Sequence, residues 1–231
     1  CKDLTNQIAP ITAHWKKEGI DFDVIYTGYL ASKGQIQEIS KLFHDLSRKG
    51  TLIFVDPAMA DNGKLYTGFD NDFPRHMSEL CKLADVIVPN ITEACLLTDT
   101  PYQTVSDWDF VMELLGKLEA FGCGHVAITG VSIDEKTMGI VSKNRETGEI
   151  SSYFPPRLPH HYHGTGDLFA SATVGSLARG LSLQQAMSLA ADFVAQAITA
   201  TANSNAPRWY GVSFEPALPY LIEEIGKKAS E

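Results

Sequence analysis

The chain has 231 residues, 19 of them Lys or Arg and 28 Asp or Glu, for a net charge of −9. A hydrophobic fraction of 44% and a charged fraction of 20% exclude the disordered, collagen-like and disulfide-scaffold classes and suffice for one large core. The acidic balance excludes a surface built for nucleic acid, which must be basic, but leaves room for a small anion held by local donors.

The chain opens Cys1-Lys2-Asp3-Leu4 rather than with Met. No signal-peptide pattern follows, and no apolar run reaches the length of a membrane span. Cys1, Cys81, Cys95 and Cys123 form no CxxC pair, which suits scattered thiols in a reduced compartment. The expected location is therefore cytoplasmic. The triplet Asn90-Ile91-Thr92 carries no glycosylation signal without a secretory context.

The elements alternate along the chain. Ile8 to Gly19 reads as a helix and Phe22 to Thr27 as a buried strand. Ser32 caps a helix running to about Arg48, with Gly50 as a stop, by the usual start and stop signals. Thr51 to Val55 is a second strand, closing on Asp56-Pro57. A loop rich in Gly, Asp and Asn covers Ala58 to Asp72, and Phe73 to Leu83 is helical. Asp85 to Val88 is a third strand, Thr92 to Leu97 a short helix, and Ser106 to Phe121 a longer one. His125 to Thr129 is a fourth strand.

The rhythm then changes. Met138 to Lys143 and Ile150 to Phe154 flank Arg145-Glu146-Thr147-Gly148, a hairpin signature. Helices follow from Gly164 through Ala178, from Leu183 to Ala202 and from Glu215 to Lys227. Strands alternating with helices predict an α/β fold with a mostly parallel sheet, carrying the hairpin as an antiparallel edge. With no repeat and no low-complexity linker, a single domain is expected over residues 1–231. Ligands of such sheets bind outside the carboxyl ends of the strands. That rule selects Tyr26 to Tyr29, Asp56 to Asp61, Pro89 to Glu93, and Thr129-Gly130.

The sharpest motif is His163-Gly164-Thr165-Gly166-Asp167-Leu168-Phe169. Two glycines let the backbone approach a ligand closely. The amides that follow lie at a helix start, where unpaired N–H groups and the dipole favour an anion. Asp167 in that turn can accept a proton from a hydroxyl as a phosphoryl group arrives. The plainer alternative is that Thr165 or Asp167 caps the helix. The motif is neither a Walker A loop nor a dinucleotide fingerprint.

A second constellation is acidic. Asp56 and Asp61 lie in Asp56-Pro57-Ala58-Met59-Ala60-Asp61-Asn62-Gly63-Lys64-Leu65-Tyr66, and Glu93 follows Asn90 by three residues. Hard oxygen ligands at strand ends suit Mg²⁺. The alternatives are turn chemistry for the two aspartates and a capping box for Glu93. His160, His161 and His163 crowd one loop without a regular ligand spacing, and are read as solvated, with at most one touching phosphate or substrate. Trp15, Trp108 and Trp209 are read as packing residues.

Thr27-Gly28-Tyr29-Leu30, the DPAMADNGKLY segment, the PNITEACLL segment and the GTGDLFA helix start occur in the order found in pyridoxal kinases. The chain resembles that branch of the ribokinase-like superfamily over nearly its whole length. The resemblance implies a ribokinase-like fold and ATP-dependent phosphorylation of the 5′-hydroxyl of pyridoxal, pyridoxine or pyridoxamine. It implies Asp167 as base, and Gly164, Thr165 and Gly166 as anion hole. Asp56, Asp61 and Glu93 fall at positions around Mg²⁺ and the nucleotide phosphates, with Asn90 in the same element. Thr129 matches a nucleotide-contacting position. Tyr29 matches an aromatic residue near the pyridine ring, and His163 stands as a substrate-side residue. Implied partners are ATP, Mg²⁺, a monovalent cation such as K⁺ and a second copy of the chain, with no nucleic acid and no membrane.

The family usually reads D-P-V-M-G-D where this chain has Ala58 and Ala60. Ala60 puts a Cβ where glycine allows a special φ or a close ligand approach. Relatives begin several dozen residues earlier, with a first strand and substrate contacts, so a leading segment is expected to be missing here. Two alternative functions stand beside the B6 kinase. One is a hydroxymethylpyrimidine kinase; the other is a non-catalytic nucleotide- or B6-binding relative.

Overall fold

The computed structural model of the protein describes residues 2–103, 107–159, 162–204 and 211–228. The chain divides into two compact units. The first comprises Cys1–Val131 and Val141–Ile150, the second Ser132–Ile140 and Ser151–Glu231.

The first unit holds α1 (Thr5–Lys17), β1 (Val24–Thr27), α2 (Lys33–Leu46), β2 (Leu52–Val55), β3 (Ala60–Asp61), β4 (Lys64–Leu65), α3 (Phe73–Cys81), β5 (Val86–Ile87), α4 (Ile91–Leu97), α5 (Trp108–Glu119) and β6 (His125–Val131). β1 pairs with β2, β2 with β5 and β5 with β6, all parallel, in the registers Val24 to Leu52, Phe54 to Val86 and Val86 to His125. Phe54, Val55, Ile87 and Ile128 are fully or almost fully buried, as strands covered by helices on both faces require. Helix starts follow side-chain chemistry. The Ser32 hydroxyl accepts the Gln35 amide at 3.2 Å, and Asp107 accepts the Phe110 amide at 2.8 Å, each satisfying a first-turn donor. Ile36, Leu42, Phe43 and Leu46 then form the buried stripe of α2.

β7 (Gly139–Asn144) and β8 (Ile150–Tyr153) make the expected hairpin. The Asn144 amide donates to the Glu149 carbonyl and the Gly148 amide to that of Asn144, both at 2.9 Å. An antiparallel bridge joins Thr137 and Pro156. The strand order is β1-β2-β5-β6-β7-β8, with β3 and β4 as a separate two-stranded ribbon.

The second unit carries α6 (Thr165–Ala178), α7 (Leu183–Ala202), a 3₁₀ turn at Glu215–Ala217 and α8 (Leu218–Lys228). Its core sets Ala172 against Ala190, Phe193, Ala197 and Ala217, with Leu168 and Phe169 packed on it. Ser182 and Gln185 form a reciprocal capping box at the start of α7, and the Tyr153 hydroxyl donates to Asp192 at 2.6 Å.

The sequence places a loop over Ala58 to Asp72; the structure inserts the ribbon there, with Ala60 opposite Leu65 and Asp61 opposite Lys64. The helix expected to end at Arg48 stops at Leu46, and the last helix is split by its 3₁₀ start. Among the described residues no helix is long and apolar enough to cross a membrane. His160, His161, Ser106 and Trp209 lie outside the described residues.

Candidate active site

In the first unit, the residues selected by the strand-end rule meet around α4. Asn90 caps this helix: its side-chain oxygen accepts the Glu93 amide at 3.0 Å, and the Glu93 carboxylate accepts the Asn90 amide at 2.8 Å. The capping box is therefore real, but it uses one carboxylate oxygen. The other, Oε1, accepts the amides of Met59 at 3.0 Å and Ala60 at 3.4 Å. The Asn90 side-chain amide donates to the Ala60 carbonyl at 2.8 Å, and the Gly63 amide donates to the Thr92 hydroxyl at 3.0 Å. A seven-residue helix thus clamps the 56–63 loop from its own first turn.

This clamp explains Ala60. It is fully buried in β3, and its φ is not in the left-handed region, so the local backbone accommodates a Cβ. Thr92 belongs to the clamp and was missed by reasoning from sequence. The spacing within Asn90-Ile91-Thr92-Glu93 displays a cap, but nothing in it shows that the intervening Thr reaches a loop 29 residues away.

The electrostatics concentrate on Glu93. Burial pushes its carboxyl up to about 8, the nearby Asp56 carboxylate adds to the shift, and the Asn90, Met59 and Ala60 amides oppose it. Removing a carboxylate from water penalises its charged form, and a like charge beside it does so again. Asp56 is itself buried. Asp61, by contrast, is exposed, and its two oxygens accept from the Asn62 amide at 2.8 Å and the Asn62 side chain at 2.9 Å. Among the described residues no three His, Cys, Asp or Glu side chains gather as a cation site by themselves. Asp56 and Glu93 are the neighbouring pair, and the local bonding of Asp61 is turn chemistry.

Thr129 lies in β6 beside Asn90, joined to it by a parallel bridge. Its amide donates to the Pro89 carbonyl at 2.9 Å. Tyr29 follows β1 and is 55% exposed. Its ring centroid is 5.5 Å from that of Phe69, which stacks on Phe73 at 3.9 Å and 13°.

The second unit contains the GTGD turn. Gly164 is the N-cap of α6, at φ 80° and ψ 5°, in the left-handed region, and no side chain caps the helix. Thr165 instead donates to the Tyr162 carbonyl at 3.3 Å. Neither Thr165 nor Asp167 caps the helix, which removes the plainer alternative. A Cβ placed on Gly164 or Gly166 meets nothing within 4 Å. Backbone conformation requires glycine at Gly164; neither conformation nor packing requires it at Gly166. His163 and Asp167 are exposed beside them.

The phosphomethylpyrimidine kinase family profile matches residues 7–210. A pyridoxine kinase from Bacillus subtilis is 30% identical over 195 residues, covering 83% of this chain and 68% of that protein. A C. elegans relative, matched at 32% identity, is spanned over 47% of its length by 65% of this chain. A candidate phosphomethylpyrimidine kinase from Bacteroides thetaiotaomicron, solved with pyridoxal, is 40% identical with a TM-score of 0.89, covering 96% of this chain and 78% of that one. The pyridoxal kinase of Lactobacillus plantarum is 33% identical with a TM-score of 0.86, over 96% and 78%. The chain belongs to the phosphomethylpyrimidine kinase family and has the ribokinase-like α/β fold of the pyridoxal kinases.

Proposed function

We propose that the protein phosphorylates the 5′-hydroxyl of a B6 vitamer with ATP. The observation that carries this reading is the start of α6. Gly166 lacks a side chain where neither packing nor backbone conformation excludes one, beside first-turn amides that no side chain caps. Such a surface suits the close approach of an anion. Asp167, one residue on and exposed, takes the proton of the substrate hydroxyl as its oxygen attacks the γ-phosphoryl group. The amides of the Gly164–Gly166 turn hold the charge that develops on the transferring group.

In the first unit, Asp56 and Glu93 offer hard oxygens of the kind Mg²⁺ takes from one or two carboxylates. Burial first, and the Asp56 carboxylate second, raise the Glu93 carboxyl, and a cation relieves both effects, so the pair fits the ion. Bound there, Mg²⁺ would neutralise phosphate charge. Asn90 fixes the Glu93 backbone and the Ala60 carbonyl, Thr129 stands beside it as the nucleotide-side residue, and Tyr29 presents an exposed aromatic face for the pyridine ring. The family resemblance adds Asp61 near the phosphates, His163 on the substrate side, K⁺, a homodimer and a cytoplasmic location to the proposal.

The second reading is hydroxymethylpyrimidine phosphorylation. It is favoured by the family match and by a Bacillus subtilis hydroxymethylpyrimidine/phosphomethylpyrimidine kinase, 27% identical over 84% of this chain. ADP release measured with each substrate separates the two. Asp167→Asn should lower kcat by about 10²- to 10⁴-fold, the range for a positioned base, with ATP binding by calorimetry little changed. Unaltered turnover in that variant would remove Asp167 from the mechanism.

A further inference from the structure

An aromatic ladder ends on Tyr29. Phe73, almost wholly buried at the start of α3, stacks face to face on Phe69 at 3.9 Å, and Phe69 meets Tyr29 at 5.5 Å with the planes 35° apart. The outermost ring is 55% exposed. Phe69 sits in an otherwise polar stretch, Thr67-Gly68-Phe69-Asp70-Asn71-Asp72, where an apolar ring has no solubility purpose.

Its position is fixed from both sides. The Phe69 amide donates to the Tyr66 carbonyl at 3.3 Å, and the Tyr66 amide to the Met59 carbonyl at 2.9 Å. Met59 in turn donates to Glu93. On the other side, the Phe73 amide donates to the Asp70 carbonyl at 3.1 Å. The segment that leaves the carboxylate clamp therefore carries the ring that braces Tyr29.

We propose that Phe69 is a positioning residue for the substrate ring: stacked on Phe73, it holds Tyr29 in the orientation whose free face receives a planar heteroaromatic ring. This rests on the reading of Tyr29 as the substrate-side aromatic. A tyrosine left without the brace samples its rotamers in solvent, and the ligand must then order it on binding. The tilted Tyr29–Phe69 contact at 5.5 Å lies in the range that aromatic pairs favour. The brace recognises ring planarity rather than ring substituents, so it serves pyridine and pyrimidine substrates alike and leaves the nucleotide unaffected.

The test is steady-state kinetics of the full chain with pyridoxal and with hydroxymethylpyrimidine. Phe69→Leu should raise KM for the accepted ring substrate by about 3- to 10-fold, the worth of one aromatic pair. The KM for ATP and kcat should stay within about twofold. Phe69→Tyr should restore the KM. In a Tyr29→Leu background, Phe69→Leu should add nothing. If Phe69→Leu lowers the melting temperature, Phe69→Met keeps the bulk without the ring and should show the same KM rise. A KM unchanged by either variant, or raised equally with and without Tyr29, would overturn the role of Phe69 while leaving the kinase assignment standing. A wild-type chain that turns over neither substrate and binds neither would overturn both.

Discussion

Glu93 Oε1 accepts the Met59 amide at 3.0 Å across 34 positions of sequence. The bond ties a carboxyl group to the loop that carries Asp56 and Asp61, and makes that loop part of the helix cap rather than a free excursion. It also sets a conflict, because the acceptor is buried beside another carboxylate.

The conflict predicts a pH dependence. The Glu93 carboxyl moves from an ordinary 4.5 up to about 8 on folding. Between these values the folded chain holds a proton that the unfolded chain has released. Stability from this group is therefore complete below about pH 4.5, falls as pH rises, and levels off above about 8. In metal-free protein, the melting temperature should decline across that window. Glu93→Gln should flatten the decline, at a lower overall melting temperature, because its single carbonyl oxygen can accept the Met59 and Ala60 amides or the Asn90 amide but not both sets. Added Mg²⁺ should raise the wild-type melting temperature most at the alkaline end, and Glu93→Gln less. A wild-type profile as flat as that of the variant would remove Glu93 as the source.

Asn90 does two jobs with one side chain, capping α4 and holding the Ala60 carbonyl. Asn90→Ala removes both. A lost cap costs ~1 kcal/mol, and a part-buried carbonyl left unpaired adds about as much. Urea denaturation should show a loss of about 2 kcal/mol with the m-value unchanged.

Gly164→Ala and Gly166→Ala separate conformation from approach. The left-handed φ at Gly164 costs an alanine ~1 kcal/mol, with no crowding to add. At Gly166, a helical position with open space around it, alanine should leave stability equal or slightly raised. Turnover should fall in both, so that Gly166→Ala is a stable protein with poor phosphoryl transfer. Calorimetry with ADP and the ADP-release assay together check the split.

Gly139→Ala should fail for a different reason. A Cβ there runs into the Tyr153 carbonyl oxygen across the hairpin, and backbone atoms cannot swing aside. The cost should be about 3 kcal/mol or more, at the severe end of overpacking, read as a lowered melting temperature and faster proteolysis within residues 132–156.

Much of the fold is legible before any coordinates. Hydrophobic runs such as Leu52–Val55 and His125–Thr129, and the Ser32 cap, lie on local chemistry that acts over three or four residues. The β3–β4 ribbon is not legible, because two-residue strands carry no period to read. The site divides the same way. Gly164 to Asp167 announce themselves as a contiguous phrase, as do Asn90 and Glu93 as a capping pair.

What the chain determines alone is this set of short-range signals: alternation of strand and helix, the caps, and the polar phrases at strand ends. Only tertiary structure decides that Glu93 serves Met59 and Ala60 as well as its own helix, that Thr92 holds Gly63, and that Asp61 is left to its neighbour Asn62. It alone places Phe69 between Phe73 and Tyr29. Periodicity and spacing describe neighbours along the chain. Burial, like-charge proximity and ring stacking depend on segments brought together from 30 or 40 residues apart, and no local pattern encodes which of them meet.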